Sequence, residues 1–156
     1  MNERRKLINW MAGVTTFIVV LLIVIVLLDR EEDGVSLAAA SRTVALTLES
    51  GNGILENAPE TSNFDEDLSD QWYVKYMDYL YGQGYLDSGS VKADERSATS
   101  AVTYAVLSDW AKKASEEGKG ETDALLSYVD SGDRAKKAVS SENFWKFYDA
   151  FRAAVD

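Results

Sequence analysis

The stretch NFDEDLSDQWYVKYMDYLYGQGYLDSG, residues 63–89, begins with acidic residues, continues through an aromatic run and ends at paired glycines. Asp70 is well placed to cap a helix, and Gly82 and Gly84 are placed to end it. Four residues of the run share one side of such a helix, and two more flank it: Trp72, Tyr76, Tyr79 and Leu80, with Tyr73 and Met77. The spacing therefore predicts an amphipathic helix that starts at Asp70.

Another helix is predicted before this stretch from a cap and from apolar periodicity. Ser36 is placed to cap it, Gly51 or Gly53 to end it, and its apolar face is formed by Leu37, Ala40, Val44 and Leu48. The segment that follows contains the only proline of the chain, Pro59, and is predicted to be a loop.

Three more helices are predicted toward the carboxyl end. One covers residues 98–114, with an apolar stripe of Val102, Ala105, Val106 and Trp110. A short one covers residues 122–129 and carries Leu125, Leu126 and Val129. The last begins at Ser140 or Ser141 and presents Phe144, Phe147, Tyr148 and Phe151 on one side. No run of alternating residues predicts a sheet, so residues 35–156 are expected to form an all-α domain of about five helices.

An apolar stretch precedes this domain. Residues 10–28, WMAGVTTFIVVLLIVIVLL, carry no charge, and the 18 residues from Met11 to Leu28 would form a helix about 27 Å long at about 1.5 Å per residue. This length spans a bilayer, so residues 7–28 are predicted to be a transmembrane helix. A cleaved signal peptide is the alternative, but its apolar region is shorter and small residues follow it closely. Here the charged residues DREED follow directly, which favours an uncleaved anchor.

The charges on either side of the apolar stretch predict its orientation. Arg4, Arg5 and Lys6 precede it, whereas residues 29–33 contain four acidic residues and one arginine. By the positive-inside rule, residues 1–6 are a cytoplasmic tail, residues 29–34 a linker and residues 35–156 an extracytoplasmic domain. The predicted localisation is the cell membrane, with a single pass.

The composition excludes several classes of function. Residues 29–156 carry 25 acidic and 13 basic residues, a net charge of −12, which would repel nucleic acid and anionic lipid. The chain has no cysteine and no histidine, which excludes thiol nucleophiles, Ser-His-Asp triads and Cys- or His-bound metals. No catalytic residue, metal site or cofactor is predicted. An exported, acidic, cysteine-free chain is typical of a Gram-positive envelope.

The order of residues in the 63–89 stretch also resembles a known family. Phe64 and an acidic turn are followed by Trp72-Tyr73, Tyr76-Met77, Leu80, Gly84 and Leu86. This is similar to an S-layer homology module, in which a Trp opens a helix, small or apolar residues follow four and five positions later, and Leu and Gly follow at eight and twelve. The resemblance covers residues 64–107 and extends more weakly to 36–49 and 139–151. It implies a small helical module that binds anionic, pyruvylated wall polymers through an Arg and a Trp.

The chain departs from the family at the start of the next helix, where such modules carry a Thr-Arg-Ala-Glu motif. Thr99 corresponds to the Thr, but the following positions hold Ser100, Ala101 and Val102. An Arg at about the right place in a helix is found only in residues 41–45, SRTVA, as Arg42. The resemblance therefore implies Arg42 and Trp72 as the contacts for a wall polymer.

The acidic residues of the stretch allow two other interpretations. Asp65, Asp67 and Ser69 copy the first three alternate ligands of a calcium loop, but Asp70 and Tyr76 stand where that loop needs Gly and Glu. Two carboxylates would also suit a glycosidase, but neighbours on one exposed turn share an environment that gives their pKa values no reason to separate. A solvated helix start with Asp70 as its cap is favoured over both.

The aromatic side chains are the remaining candidate contacts. Trp72, Tyr76 and Leu80 are predicted to be core, although Trp72 is also the residue that the family resemblance assigns to the ligand. The residues expected to remain on the surface and to contact a ligand or partner are Tyr73, Tyr81 and Tyr85. In the last helix Trp145 lies away from the apolar side and is a further candidate.

Two functional hypotheses follow. The first is a non-catalytic, membrane-anchored module whose extracytoplasmic domain contacts a cell-wall polymer or an envelope protein. The second is the anchor and helical region of an exported wall-remodelling or sporulation protein, such as a stage II protein D-like lytic transglycosylase, whose catalytic domain lies beyond residue 156. The oligomeric state is not predicted by either.

Overall fold

The chain forms two compact units, residues 1–33 and residues 34–156, in a computed structural model that describes residues 2–28, 34–49 and 61–156. Within these described ranges all regular structure is helical, and extended backbone pairs only at isolated bridges. The prediction of an all-α fold is confirmed. The predicted linker, the end of the first domain helix and the Pro59 loop fall largely or wholly on residues 29–33 and 50–60, outside the described residues.

The first unit is a single helix, α1 (Asn2–Leu28). By length and composition it could cross a membrane, and the apolar window extends over Asn2–Ile23. A signal sequence near an amino terminus has the same two properties. The predicted apolar helix is therefore present. It begins at Asn2 and not at residue 7, because the charged residues from Glu3 to Lys6 are also helical.

The second unit contains five α-helices among its described residues, the number that the sequence predicts. They are α2 (Leu37–Glu49), α3 (Val74–Gln83), α4 (Glu95–Thr99), α5 (Tyr104–Glu117) and α6 (Ser141–Val155). Short 3-10 turns lie at Glu66–Leu68, Asp123–Leu125 and Gly132–Arg134. α2 packs against α3, α4 and α6, and α6 also packs against α5. The apolar faces of these helices meet in one core whose largest fully buried side chains include Trp110, Phe144, Phe147, Phe151, Met77, Leu80 and Leu107.

Local capping signals place the ends of three helices correctly. The Ser36 hydroxyl accepts a hydrogen bond from the Ala39 amide at 3.1 Å at the start of α2. The Ser140 hydroxyl accepts one from the Asn143 amide at 3.2 Å at the start of α6. Gly84 ends α3 at φ +78°, a left-handed conformation that glycine adopts without the penalty of a Cβ.

The predicted helix over residues 98–114 is wrong, because extended backbone at residues 100–103 divides it into α4 and α5. Val102 donates its amide hydrogen to the Val35 carbonyl at 2.9 Å and accepts the Val139 amide at 2.9 Å. These bonds join three segments that are distant in sequence, near residues 35, 102 and 139. The pairing buries the Val102 side chain, so tertiary hydrogen bonds here replace those of a continuous helix.

The predicted helix over residues 122–129 is also wrong, since only a 3-10 turn forms at Asp123–Leu125. Leu125 is fully buried, whereas Leu126 is 57% exposed. The 3-10 turn inserts the Leu125 side chain into the core and leaves Leu126 in solvent.

Candidate functional site

A groove of about 640 Å³ lies on the surface of the domain, with α2 and α6 contributing most of its lining. From α2 come Ala39, Arg42, Thr43, Leu46 and Thr47, from α6 come Tyr148 and Arg152, and Trp72 and Asp156 complete the lining. The groove thus brings together Arg42 and Trp72, the two residues that the family resemblance assigns to a wall polymer. They are separated by 29 intervening positions and meet because α2 packs against α3.

Arg42 lies on the outer side of α2, next to the buried Ser41. Its guanidinium carbon is 5.8 Å from the centroid of the Tyr76 ring, within the range of a cation–π contact. Among the described residues no carboxylate lies within ion-pair distance of Arg42. Its charge and its planar fork of donors are therefore oriented by an aromatic ring and left available to an anion.

Trp72 is 51% exposed, so its assignment to the core is wrong. The predicted cap at Asp70 is wrong as well, since α3 begins only at Val74 and the acidic residues before it form the 3-10 turn at Glu66–Leu68. Trp72 and Tyr73 therefore lie in the turn before α3, where the helical period does not decide which side chain faces the core. Trp72 is turned outward, whereas the buried side chains that follow it are Tyr73, Val74, Met77, Asp78, Tyr79 and Leu80.

The segment that carries Trp72 is held in place at both ends. Before it, the buried Asp78 carboxylate accepts hydrogen bonds from the Ser62 hydroxyl at 2.6 Å and the Asn63 amide at 3.0 Å. The Trp72 ring itself makes edge contacts with Tyr73 and Tyr76, at centroid distances of 5.8 and 6.5 Å. The exposed indole is thus fixed by packing against two aromatic neighbours.

The α6 side of the groove carries functional candidates that the sequence did not indicate. The Tyr148 hydroxyl and the Thr47 hydroxyl form a hydrogen bond of 2.9 Å across the α2–α6 interface. Arg152, one turn later, is 3.4 Å from the Asp156 carboxylate. Tyr148 and Arg152 are four residues apart, a spacing that indicates a shared helix face. This signal identifies them only once the pairing of α6 with α2 is known.

Tyr73, Tyr81 and Tyr85 do not line this groove, and two of the three are not on the surface. Tyr73 and Tyr85 are buried, and Tyr81 is half-buried with its hydroxyl donating to the Val91 carbonyl at 2.8 Å. Burial, followed by nearby carboxylates such as Asp78, raises the pKa of Tyr81 to about 12. Burial, followed by the Glu117 charge, raises the pKa of Tyr85 to about 12 as well. The prediction that Tyr73 and Tyr85 stay on the surface is wrong. Tyr73 packs against Phe64 just before α3, and Tyr85 packs against Phe151 of α6 just after Gly84 ends α3.

We expect Tyr73→Phe to leave the free energy of unfolding unchanged or to raise it by up to about 1 kcal/mol. The Tyr73 hydroxyl is buried without a hydrogen-bond partner among the described residues, and this burial raises its pKa. Tyr81→Phe is the matched control and should lower the free energy of unfolding by about 1 kcal/mol, because it removes the bond to Val91. Urea unfolding at pH 7 measures both, and a larger loss in Tyr73→Phe than in Tyr81→Phe would contradict this assignment.

Trp145, the remaining candidate, is 48% exposed on α6. Its ring is 5.6 Å from the ring of Tyr148, which lines the groove, and the two planes are nearly perpendicular. Trp145 therefore lies next to the groove without lining it.

The acidic cluster at residues 65–70 is largely exposed around the 3-10 turn. Within the described residues no three Asp, Glu, His or Cys side chains are grouped so that they could hold a metal ion. The groove has one carboxylate in its lining, Asp156, and that group pairs with Arg152. The chemistry that the groove offers is thus cationic and aromatic.

In comparisons with known proteins, no family model, no curated protein and no solved structure matches this chain.

Proposed function

We propose that this chain is a non-catalytic, membrane-anchored protein of a bacterial cell envelope, whose groove binds an anionic cell-wall polymer. The observation that carries the proposal is the meeting of Arg42, Trp72 and Arg152 in one groove on an otherwise acidic domain. In this proposal α1 is the membrane anchor. Arg4, Arg5 and Lys6 lie in the cytoplasm, and residues 34–156 lie on the outer side.

The charges of the groove favour an anionic ligand. Arg42 has no ion-pair partner within the described ranges, and Arg152 shares its charge only with an exposed Asp156 at 3.4 Å. A carboxylate or phosphate can accept two parallel hydrogen bonds from a guanidinium, which makes Arg the preferred residue for such groups. The net charge of −12 on residues 29–156 acts against the approach of any polyanion. At physiological salt this repulsion is screened over about 8 Å, so a local cationic groove retains its attraction.

The apolar part of the groove favours a ligand with flat, partly apolar faces, which sugar rings provide. Trp72 presents a half-exposed indole, and Leu46, which lines the same groove, is 45% exposed. Aromatic side chains of this kind supply a large contact area with little loss of conformational entropy on binding. The absence of His and Cys from the whole sequence and the single, paired carboxylate in the lining support binding without catalysis.

The proposal is tested by retention of the full chain, in detergent, on purified Gram-positive sacculi with and without their secondary polymers. We expect retention that requires the polymers and weakens at high salt, because the contacts are partly ionic. Arg42→Ala should lower the affinity about tenfold to a hundredfold, and Trp72→Ala about tenfold, on the scale of one charged hydrogen bond or one aromatic contact. Arg42→Lys should lose part of the affinity, since it keeps the charge without the fork.

Arg96→Ala is the matched control, because Arg96 is exposed on α4 and does not line the groove. It removes the same charge from the domain and should leave retention unchanged. Equal retention on sacculi with and without secondary polymers would contradict the proposal. So would equal loss of affinity in Arg42→Ala and Arg96→Ala, which would indicate a nonspecific effect of net charge.

A further inference from the structure

Trp145 extends the aromatic surface of the groove beyond the side formed by α6. Its ring contacts Tyr148 at a centroid distance of 5.6 Å and an interplanar angle of 88°. Tyr148 in turn lines the groove and is held to α2 by its hydrogen bond to Thr47. One aromatic side chain therefore connects the groove to a second exposed tryptophan.

Trp72 and Trp145 have similar exposure and similar aromatic neighbours. Each indole is about half exposed, at 51% and 48%. The ring of Trp145 contacts Phe144 at 5.3 Å as well as Tyr148, just as the ring of Trp72 contacts Tyr73 and Tyr76. A large ring that is fixed by two neighbours and still half exposed is suited to stacking, because little side-chain freedom is lost on contact.

The charge next to Trp145 differs from that of the groove. Lys146 is engaged by Glu142 at 2.9 Å, and this pair is exposed on the same helix. Arg42 thus supplies positive charge inside the groove that no ion pair among the described residues neutralises, whereas the lysine next to Trp145 is paired. A ligand that contacts both places needs an anionic group at the groove and an uncharged ring face outside it.

We propose that the groove and Trp145 form one extended binding surface for consecutive units of an anionic glycan chain. In this arrangement Arg42 and Trp72 bind one unit in the groove, and Trp145 stacks on a sugar outside it. The inference rests on the proposed function and adds that the ligand is recognised as a chain and not as a single terminal unit. Tyr148 acts as the support that keeps Trp145 aligned with the groove.

The test measures the dependence of affinity on chain length by titration calorimetry of the full chain in detergent. The probes are short and long fragments of the secondary polymer, released from the same sacculi and sorted by size. We expect the wild type to bind long fragments about tenfold more tightly than short ones, which is the scale of one added stacking contact. Trp145→Ala should remove this gain and leave the affinity for short fragments unchanged, and Trp145→Phe should keep most of the gain.

Leu126→Ala is the matched control, since Leu126 is 57% exposed and does not line the groove, and it should behave as the wild type. An affinity that is independent of length, or a Trp145→Ala variant equal to the wild type on long fragments, would overturn the extended surface. Equal losses on short and long fragments would overturn it too, because Trp145 would then act through the groove. If the proposed function itself is wrong, Arg42→Ala will bind short fragments as tightly as the wild type. If the wild type binds no fragment of any length, both the proposed function and the extended surface are overturned.

Discussion

Trp110→Ala is expected to lower the free energy of unfolding of the domain by about 3 to 5 kcal/mol, the range for removing a large buried aromatic side chain. Trp110 is fully buried in α5, and its ring lies 6.4 Å from the ring of Phe147 in α6. Its indole nitrogen also donates to the Tyr85 carbonyl at 2.9 Å in the buried core. The substitution therefore creates a cavity between α5 and α6 and leaves a buried carbonyl without its donor. Urea unfolding followed by circular dichroism measures the change without relying on tryptophan fluorescence.

Trp72→Ala is the matched control, because it removes the same side chain from a half-exposed position. We expect a loss of no more than about 1 kcal/mol, since the Trp72 side chain is 51% exposed and its ring contacts are with Tyr73 and Tyr76. If Trp72 were core, as its spacing from Leu80 predicts, both variants would lose stability to a similar extent. Such a result would contradict the exposed position of Trp72 and remove it from the groove.

The parts of the fold that the sequence predicts correctly are those encoded locally. The caps at Ser36 and Ser140 are predicted correctly because each hydroxyl accepts a hydrogen bond from the amide only three residues later in the chain. Gly84 is found as a helix end because its positive φ is a property of one residue. The apolar side of α6 is found because Phe144, Phe147 and Phe151 follow the helical period over a long helix.

The errors arise where distant segments decide the local structure. Residues 100–103 follow a helical pattern, but Val102 pairs with Val35 and Val139, which are far away in sequence. α3 starts at Val74 and not at Asp70, so Trp72 and Tyr73 lie in the turn before it, where Tyr73 is buried and Trp72 is exposed. Sequence patterns fix the period of a helix more firmly than its first residue.

The candidate site also combines features that are encoded locally with features that depend on distant segments. Arg42 and Trp72 could be named in advance from residue type and from the family resemblance. That they share a groove depends on the packing of α2 against α3, which no local pattern contains. Tyr148 and Arg152 enter the groove only because α6 also packs against α2. Residue type thus identified the candidate contacts, and the tertiary packing of the helices determined which of them lie in the same groove.

Gly120→Ala is expected to lower the free energy of unfolding by about 2 to 4 kcal/mol, because it overpacks a close backbone contact and breaks hydrogen bonds. The segment after α5 crosses the end of α6, where the Gly120 amide donates to the Ala154 carbonyl at 3.0 Å and the Glu121 amide donates to the Ala153 carbonyl at 3.1 Å. A Cβ on Gly120 would overlap the Ala153 carbonyl oxygen, which is backbone and cannot rotate away. Either the segment or the last turn of α6 must move, and both bonds weaken.

Gly82→Ala provides the matched control with the opposite expected sign. Gly82 lies inside α3, and a Cβ there meets no heavy atom within 4 Å. Alanine should therefore raise the free energy of unfolding by about 0.5 to 1 kcal/mol, because it restricts the unfolded chain and favours the helix. Urea unfolding of the two variants beside the wild type measures both signs in one experiment. A Gly120→Ala variant as stable as Gly82→Ala would show that the segment after α5 does not contact the end of α6. The carbonyls of Ala153 and Ala154, which follow Arg152 at the end of α6, would then lack these backbone donors.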